Sequence, residues 1–150
     1  MSPDPYDLER FVHAQSAGVY DQALFELQSG AKRSHWIWFI FPQLDGLGLS
    51  QRSRHFGIKS LAEAEAYVQH PVLGPRLLAC ARAVLGVDGR SAYDIMGSPD
   101  DQKLRSCATL FAQTSAGTLF RQLLEKYFDG QEDEATIRLL KAPTGATPSA

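Results

Sequence analysis

The run WIWFIF, residues 36–41, decides how this chain folds. Its aromatic and β-branched content favours a strand, and six residues are too few for length to arbitrate. A strand needs partners, because buried backbone N–H and C=O groups left unpaired are costly. No other segment of the sequence reads as a partner strand. The preferred reading is therefore a short, fully buried helix, apolar on every side as a central helix must be. Ser34 stands where it can cap such a helix, and Pro42 ends it.

The segments on either side read as further helices. Asp4-Pro5 predicts an N-cap and a proline at the first helical position. Leu8, Phe11, Val12 and Gln15 follow at helical spacing, which places Gln15 on the apolar stripe. A second helix is expected over about 19–29, with Tyr20, Ala23, Leu24 and Leu27 inward and Gly30 as its stop. Ser60-Leu-Ala-Glu63 is a capping box that opens a helix to about Gln69, where His70-Pro71 breaks it. Pro75–Leu85, a short turn after Ser91, a helix after Ser98-Pro99-Asp100-Asp101, a helix after Gly117 and a last one over Asp133–Lys141 complete the series. The fold class expected is all-α: a single compact multihelical domain over residues 1–141 with a short buried central helix around Trp36–Phe41. The small, uncharged residues 142–150 read as a disordered tail.

Bulk properties agree with one globular domain. The 150 residues are 44% hydrophobic and 21% charged, and a chain of this length needs no disulfide or metal to hold a core. A net charge of −2 argues against general nucleic-acid binding. The N-terminus carries no basic and apolar signal pattern, and the longest apolar run is far short of a membrane span. A cytoplasmic location and no membrane contact are expected. Cys80 and Cys107 are not in metal-type spacing and read as reduced, buried small hydrophobes. No metal cluster is expected among the 4 histidines, and no cofactor is expected.

The chemistry-bearing residues crowd the edges of the buried run. Lys32, Arg33, Ser34 and His35 precede it, and Gln43 with the DGLGLS turn follows it. A helix N-terminus beside cations is an anion site, and Trp36 and Trp38 add indole faces and N–H donors. Solvated loop charges and plain core tryptophans account for the same residues, so both readings stay open. Gly46 and Gly48 permit close backbone approach without forming a phosphate-loop fingerprint. Ser50, Arg52, Ser53, Arg54 and His55 form a second basic patch. Asp101 and Arg105 stand at i, i+4, either as a surface pair or as a base and an anion ligand.

The segments RFVHAQ, YDQALFELQSGAKRSHWIWFIFPQLDGLGLS, HPVLGPRL, IMGSPDDQKLRSCATLF and EKYFDGQEDEATIRLL together resemble the 1810 family of domains of unknown function. Some genome annotations label its members calpastatin-like. The resemblance runs from about Asp7 to Leu140, with Phe56 in place of a tyrosine and Cys107-Ala108 in place of a serine-methionine pair. It implies a multihelical fold with a short buried central helix, and it implies no reaction. In outline the chain is also similar to the NADAR-type N-glycosidases. That likeness implies Gln15, Lys32, Trp36 or Trp38, Asp101 and Arg105 as site residues, with a carboxylate or His35 activating water.

Three functions follow as expectations. The first is a pocket near Lys32–Gln43 for an anionic, nucleotide-like or phosphorylated small molecule. Its ligand-binding residues are Gln15, Lys32, Arg33, Ser34, Trp36, Trp38, Gln43 and Arg105. The second is an N-glycosidase-type hydrolase acting on ADP-ribose-like or ribosyl–nitrogen substrates, with His35 and Asp101 as catalytic residues. The third is a non-catalytic protein-interaction module, which requires the 34–41 stretch to be half exposed.

Overall fold

The computed structural model describes residues 4–48 and 50–141. Among them the chain forms ten helices and no strand. They are α1 (Glu9–Ala14), α2 (Val19–Gln28), α3 (Ile37–Ile40), α4 (Gln51–His55), α5 (Leu61–Gln69), α6 (Leu73–Leu85), α7 (Ala92–Met96), α8 (Asp100–Phe111), α9 (Gly117–Phe128) and α10 (Glu134–Lys141). The all-α expectation holds. The expected tail, 142–150, lies outside the described residues. No helix among the described residues is long and apolar enough to cross a membrane.

The ambiguous run is a helix of four residues, shorter than the six expected. Trp36, Ile37, Ile40 and Phe41 are fully buried. α1 and α8 pack against this helix. A row of rings continues the core: Phe11 meets Tyr67 edge-on at 5.0 Å, Tyr67 meets Phe111 at 5.7 Å, and Phe111 meets Phe120 at 5.5 Å. Offset and edge-to-face geometries of this kind add modestly to the burial of the rings themselves.

Several boundaries differ from the sequence reading for identifiable reasons. α1 starts at Glu9 rather than at Pro5, because Asp4 acts from a turn upstream. Its carboxylate accepts from the N–H groups of Leu8 at 2.7 Å and Glu9 at 2.9 Å. Ser34 does not cap α3, whose N-cap position is Trp36. α6 starts two residues before Pro75 because His70 Nδ1 accepts from the Val72 and Leu73 N–H groups. Pro75 then occupies the first turn, where no donor is needed. α8 starts at Asp100 with Pro99 at its N-cap position, and the Ser98–Pro99 peptide is cis. α4 was not anticipated; Ser50 caps it by accepting from the Ser53 N–H.

Half of the predicted capping box at α5 forms. Ser60 accepts from the Glu63 N–H, but Glu63 turns to the Lys59 N–H and to Arg10. The Arg10–Glu63 pair is buried and 2.8 Å long, and Arg10 also donates to the carbonyls of Tyr6, Asp7, His55 and Gly57. One guanidinium thus ties the N-terminal turn, the end of α4 and α5 together. The complete capping box occurs at α7, between Ser91 and Asp94.

The segment 42–48 is held by an isolated parallel bridge between Leu44 and Ile58. Ile58 donates to the Gln43 carbonyl at 2.9 Å, and Asp45 donates to the Ile58 carbonyl at 2.7 Å. Gly57 lies so close that a Cβ there would stand 2.7 Å from Asp45 Cβ. Gly46 takes φ +103°, whereas Gly48 is needed for space: a Cβ would meet Ser53 Oγ at 2.8 Å. These contacts fix the loop as one wall of a cavity.

Candidate functional site

The polar cluster before α3 surrounds an anion, and that anion is the chain's own Glu26. On α2, Phe25 faces solvent while Glu26 is buried. Glu26 Oε1 accepts from the Arg33 N–H at 2.8 Å, the Ser34 N–H at 3.0 Å and the Trp36 indole N–H at 2.9 Å. Oε2 accepts from the Ser34 hydroxyl at 2.6 Å and from the Gln22 amide at 2.9 Å. Among the described residues no basic side chain forms an ion pair with it. Burial pushes this carboxyl upward, but hydrogen bonds from the Ser34 hydroxyl, Gln22 and the Arg33 and Ser34 backbone outweigh it. They hold the carboxyl at about 2 against its ordinary 4.5.

Lys32 is also directed inward. Its ammonium pairs with Asp100 at 2.8 Å, donates to the Ser34 carbonyl and lies 4.8 Å from the Trp36 ring centroid. Its backbone N–H reaches the Ile95 carbonyl at 2.7 Å. Lys32 therefore joins the 31–36 loop to α7 and α8. The side chains of Arg33 and His35 are exposed.

Gln15 and Gln43 share one structural task. A four-residue helix leaves its last carbonyls without intrahelical donors. Gln15 is buried and donates to the Phe39 carbonyl at 2.7 Å and to the Tyr67 hydroxyl at 3.2 Å. Arg76 donates to the Gln15 oxygen at 3.3 Å. Gln43 donates to the Phe41 carbonyl at 3.3 Å. The glutamine on the apolar stripe of α1 is thereby explained: it serves the backbone of the buried helix.

A cavity of about 460 Å³ opens beside α3, between the 43–48 segment, α4 and the starts of α8 and α10. Trp38, Gln43, Gln102, Lys103, Ser106 and Asp133 supply most of its chemistry. Its volume is in the range of small-molecule sites. Trp38 is half-buried, with the Arg52 guanidinium 5.0 Å and the Lys103 ammonium 5.2 Å from its ring centroid. Lys103 makes only a long 3.9 Å pair with Asp100, which is already held by Lys32. Among the described residues Arg52 pairs with no carboxylate.

Of the residues singled out from sequence, Trp38, Gln43, Gly48, Ser50 and Ser53 line this cavity, and Arg52 does not. Ser34 and Trp36 hold Glu26, Lys32 holds Asp100, and Gln15 lies beneath α3. His35 and Asp101 line neither this cavity nor a more open hollow of about 850 Å³ beside α10. Arg105 lines that hollow and donates to the carbonyls of Gln131 and Glu132. One oxygen of Asp101, Oδ1, is buried without a hydrogen-bond partner. Lys103, Gln102 and Asp133 were missed. The i, i+3 spacing of Lys103 and Ser106 on a helix already known to start at a capping signal was the available clue.

The buried run leaves no exposed aromatic stretch, since only Trp38 and Phe39 within it are half-buried. Both cysteines are free and buried. Burial pushes the Cys80 thiol up to about 12, against the opposing pull of Arg76, and raises the Cys107 thiol well above its ordinary value. No group of three or more His, Cys, Asp or Glu side chains among the described residues is placed to hold a metal ion.

No curated protein matches the chain. Among solved structures it is similar to the conserved hypothetical protein Rv1873 from Mycobacterium tuberculosis, determined at 1.38 Å. The two are 53% identical over 93% of this chain and 100% of that one, with a TM-score of 0.90. A family match spans residues 5–140, nearly the whole of the ten-helix domain, and the chain belongs to that family, described as protein of unknown function (DUF1810).

Proposed function

We propose that this domain binds an anionic small molecule, phosphorylated or nucleotide-like, in the cavity beside Trp38. The observation that carries the reading is the pair of weakly compensated cations against one half-buried indole on the cavity wall. A cation in water gains little from an exposed carboxylate, but an anion entering a partly dry cavity interacts with Lys103 on its wall, while Arg52 adds positive charge from outside the lining, against the same indole. The indole holds both cations by the attraction of its ring face. Gln43 keeps its place in the site first read from sequence. Lys32, Ser34 and Trp36 act instead as the frame that sets α3, and so Trp38, in position.

Binding is preferred to hydrolysis of a ribosyl–nitrogen bond. His35 and Asp101, the groups assigned to that chemistry, line neither cavity. The test is thermal unfolding with phosphate, sugar phosphates and nucleotides, repeated on Arg52→Ala and Lys103→Ala. A ligand at a hundredfold excess over its Kd stabilises the fold by about 2.7 kcal/mol. Loss of that shift in Lys103→Ala and a smaller shift in Arg52→Ala are the expected results. A shift that survives both substitutions places the ligand elsewhere, and the absence of any shift removes the reading.

A further inference from the structure

We infer that the cavity is two-ended and takes a polyhydroxylated monophosphate: the phosphate at Lys103, and hydroxyl donors at Asp133 and Gln43. The inference rests on the binding reading above and adds the second end. It follows from which polar atoms on the wall are already occupied. Ser50 and Ser53 spend their hydroxyl donors on each other and on the Ser50 carbonyl. The Ser106 hydroxyl donates to the Gln102 carbonyl at 3.2 Å. The serines therefore offer an incoming anion nothing that they do not first lose.

The free acceptors are different. Gln43 uses its amide nitrogen on the Phe41 carbonyl, and among the described residues its oxygen accepts no hydrogen bond. Asp133 uses Oδ2 for the N–H and hydroxyl of Thr136, and Oδ1 accepts none among the described residues. An acceptor on a half-closed wall favours a ligand that brings donors, and a carboxylate repels a second anion. The phosphate is disfavoured at that end, which leaves it Lys103.

The spacing follows from α8. Thr109 accepts the Asp133 N–H at 2.8 Å, which fixes Asp133 beside the helix at that level. Lys103 lies six residues earlier, about 9 Å along the axis at 1.5 Å per residue. The cation and the carboxylate thus stand at separate levels of the cavity wall, and a ligand that meets both must be elongated, as a sugar monophosphate is. Inorganic phosphate alone reaches one end only. Arg105 has a positioning part in this arrangement, because it clamps the carbonyls of Gln131 and Glu132 just before Asp133.

The experiment is titration calorimetry of the intact protein with ribose 5-phosphate, 2-deoxyribose 5-phosphate and inorganic phosphate. The proteins compared are the unaltered chain, Asp133→Asn and Lys103→Ala. Ribose 5-phosphate is expected to bind at least tenfold more tightly than inorganic phosphate, with the deoxy sugar between them. Asp133→Asn should bring the two Kd values within about twofold, while Lys103→Ala weakens both. Asparagine still caps α10, and Gln43→Leu gives the same reading should Asp133→Asn melt early. Equal binding of ribose 5-phosphate and phosphate, or a preference that survives both acceptor substitutions, overturns the two-ended site while Lys103-dependent phosphate binding would leave the simpler anion site standing. No binding of any of the three overturns both.

Discussion

Replacing Glu26 by glutamine keeps the shape of the side chain and removes its charge. In the fold this carboxyl titrates at about 2, against an ordinary 4.5, because five donors converge on it. The separation of about 2.5 pH units corresponds to ~3 kcal/mol of stability at neutral pH. A carboxylate whose value is depressed by folding stabilises fully above its unfolded value. The contribution falls as the pH drops through the window between 4.5 and 2. At pH 3 the unfolded chain has taken up its proton and most of the folded chain has not, so about 2 kcal/mol is already lost. Glu26→Gln has no such dependence. Its deficit at pH 7, expected near ~3 kcal/mol, should shrink by about 2 kcal/mol at pH 3. Urea unfolding of both proteins at the two pH values measures it. The lowered carboxyls of Asp4, Glu65 and Asp94 occur in both proteins, so they cancel in the difference. A deficit that is the same at pH 7 and pH 3, or no deficit at all, refutes the argument that Glu26 is held ionised by its donors.

Four further outcomes follow from the same geometry. Arg10→Met leaves Glu63 buried and without its cation, and should cost ~3–5 kcal/mol in urea unfolding; a loss under 1 kcal/mol would mean that the pair is dispensable. Gln15→Leu strips the Phe39 carbonyl of its shortest donor and should cost ~1–3 kcal/mol, less if the Tyr67 hydroxyl takes over at its present 3.4 Å. Gly57→Ala drives a methyl to within 2.7–2.8 Å of Asp45 and should cost ~1–3 kcal/mol, with faster amide exchange in the 43–48 loop; a neutral effect would mean that the loop yields freely. Cys80 and Cys107 should not react with an aromatic disulfide reagent in the folded protein and should react on unfolding, so reaction of either thiol without unfolding would contradict their burial.

Much of the fold was legible because strong local signals coincide with elements. The Ser60 cap, the glycine after α2 and the Ser98-Pro99-Asp100-Asp101 start signal of α8 all mark real helices. Even the length ambiguity of the 36–41 run resolved by asking where a strand's partners would be. The boundaries that slipped are those where a side chain acts at a distance. Asp4 caps a helix whose first residue is five positions on, and His70 supplies a cap that no propensity scale expects. The burial of Glu26 was less accessible. At 100° per residue it lies at the flank of the stripe formed by Ala23 and Leu27, while Phe25 points the other way. Periodicity gives that angle but not which donors arrive there from a loop seven to ten residues away. Lys103 and Asp133 were not legible as neighbours at all, because α10 reaches the cavity only through the fold.

The cluster before α3 shows how a chain can look like a ligand site and be complete without a ligand. Two backbone N–H groups, a hydroxyl and an indole N–H are the donor set that an anion site needs, and Glu26 uses every one of them. An external anion there would have to displace a fully bonded internal carboxylate, which is costly in a dry environment. The cations near Trp38 are in the opposite condition. Arg52 has no carboxylate among the described residues, and Lys103 shares one that Lys32 has already taken at 2.8 Å. The distinction that locates a site in this protein is therefore not the density of polar residues, which is highest before α3. It is how much of their hydrogen-bonding and charge is still uncommitted, and by that measure the proposed site is the cavity beside Trp38.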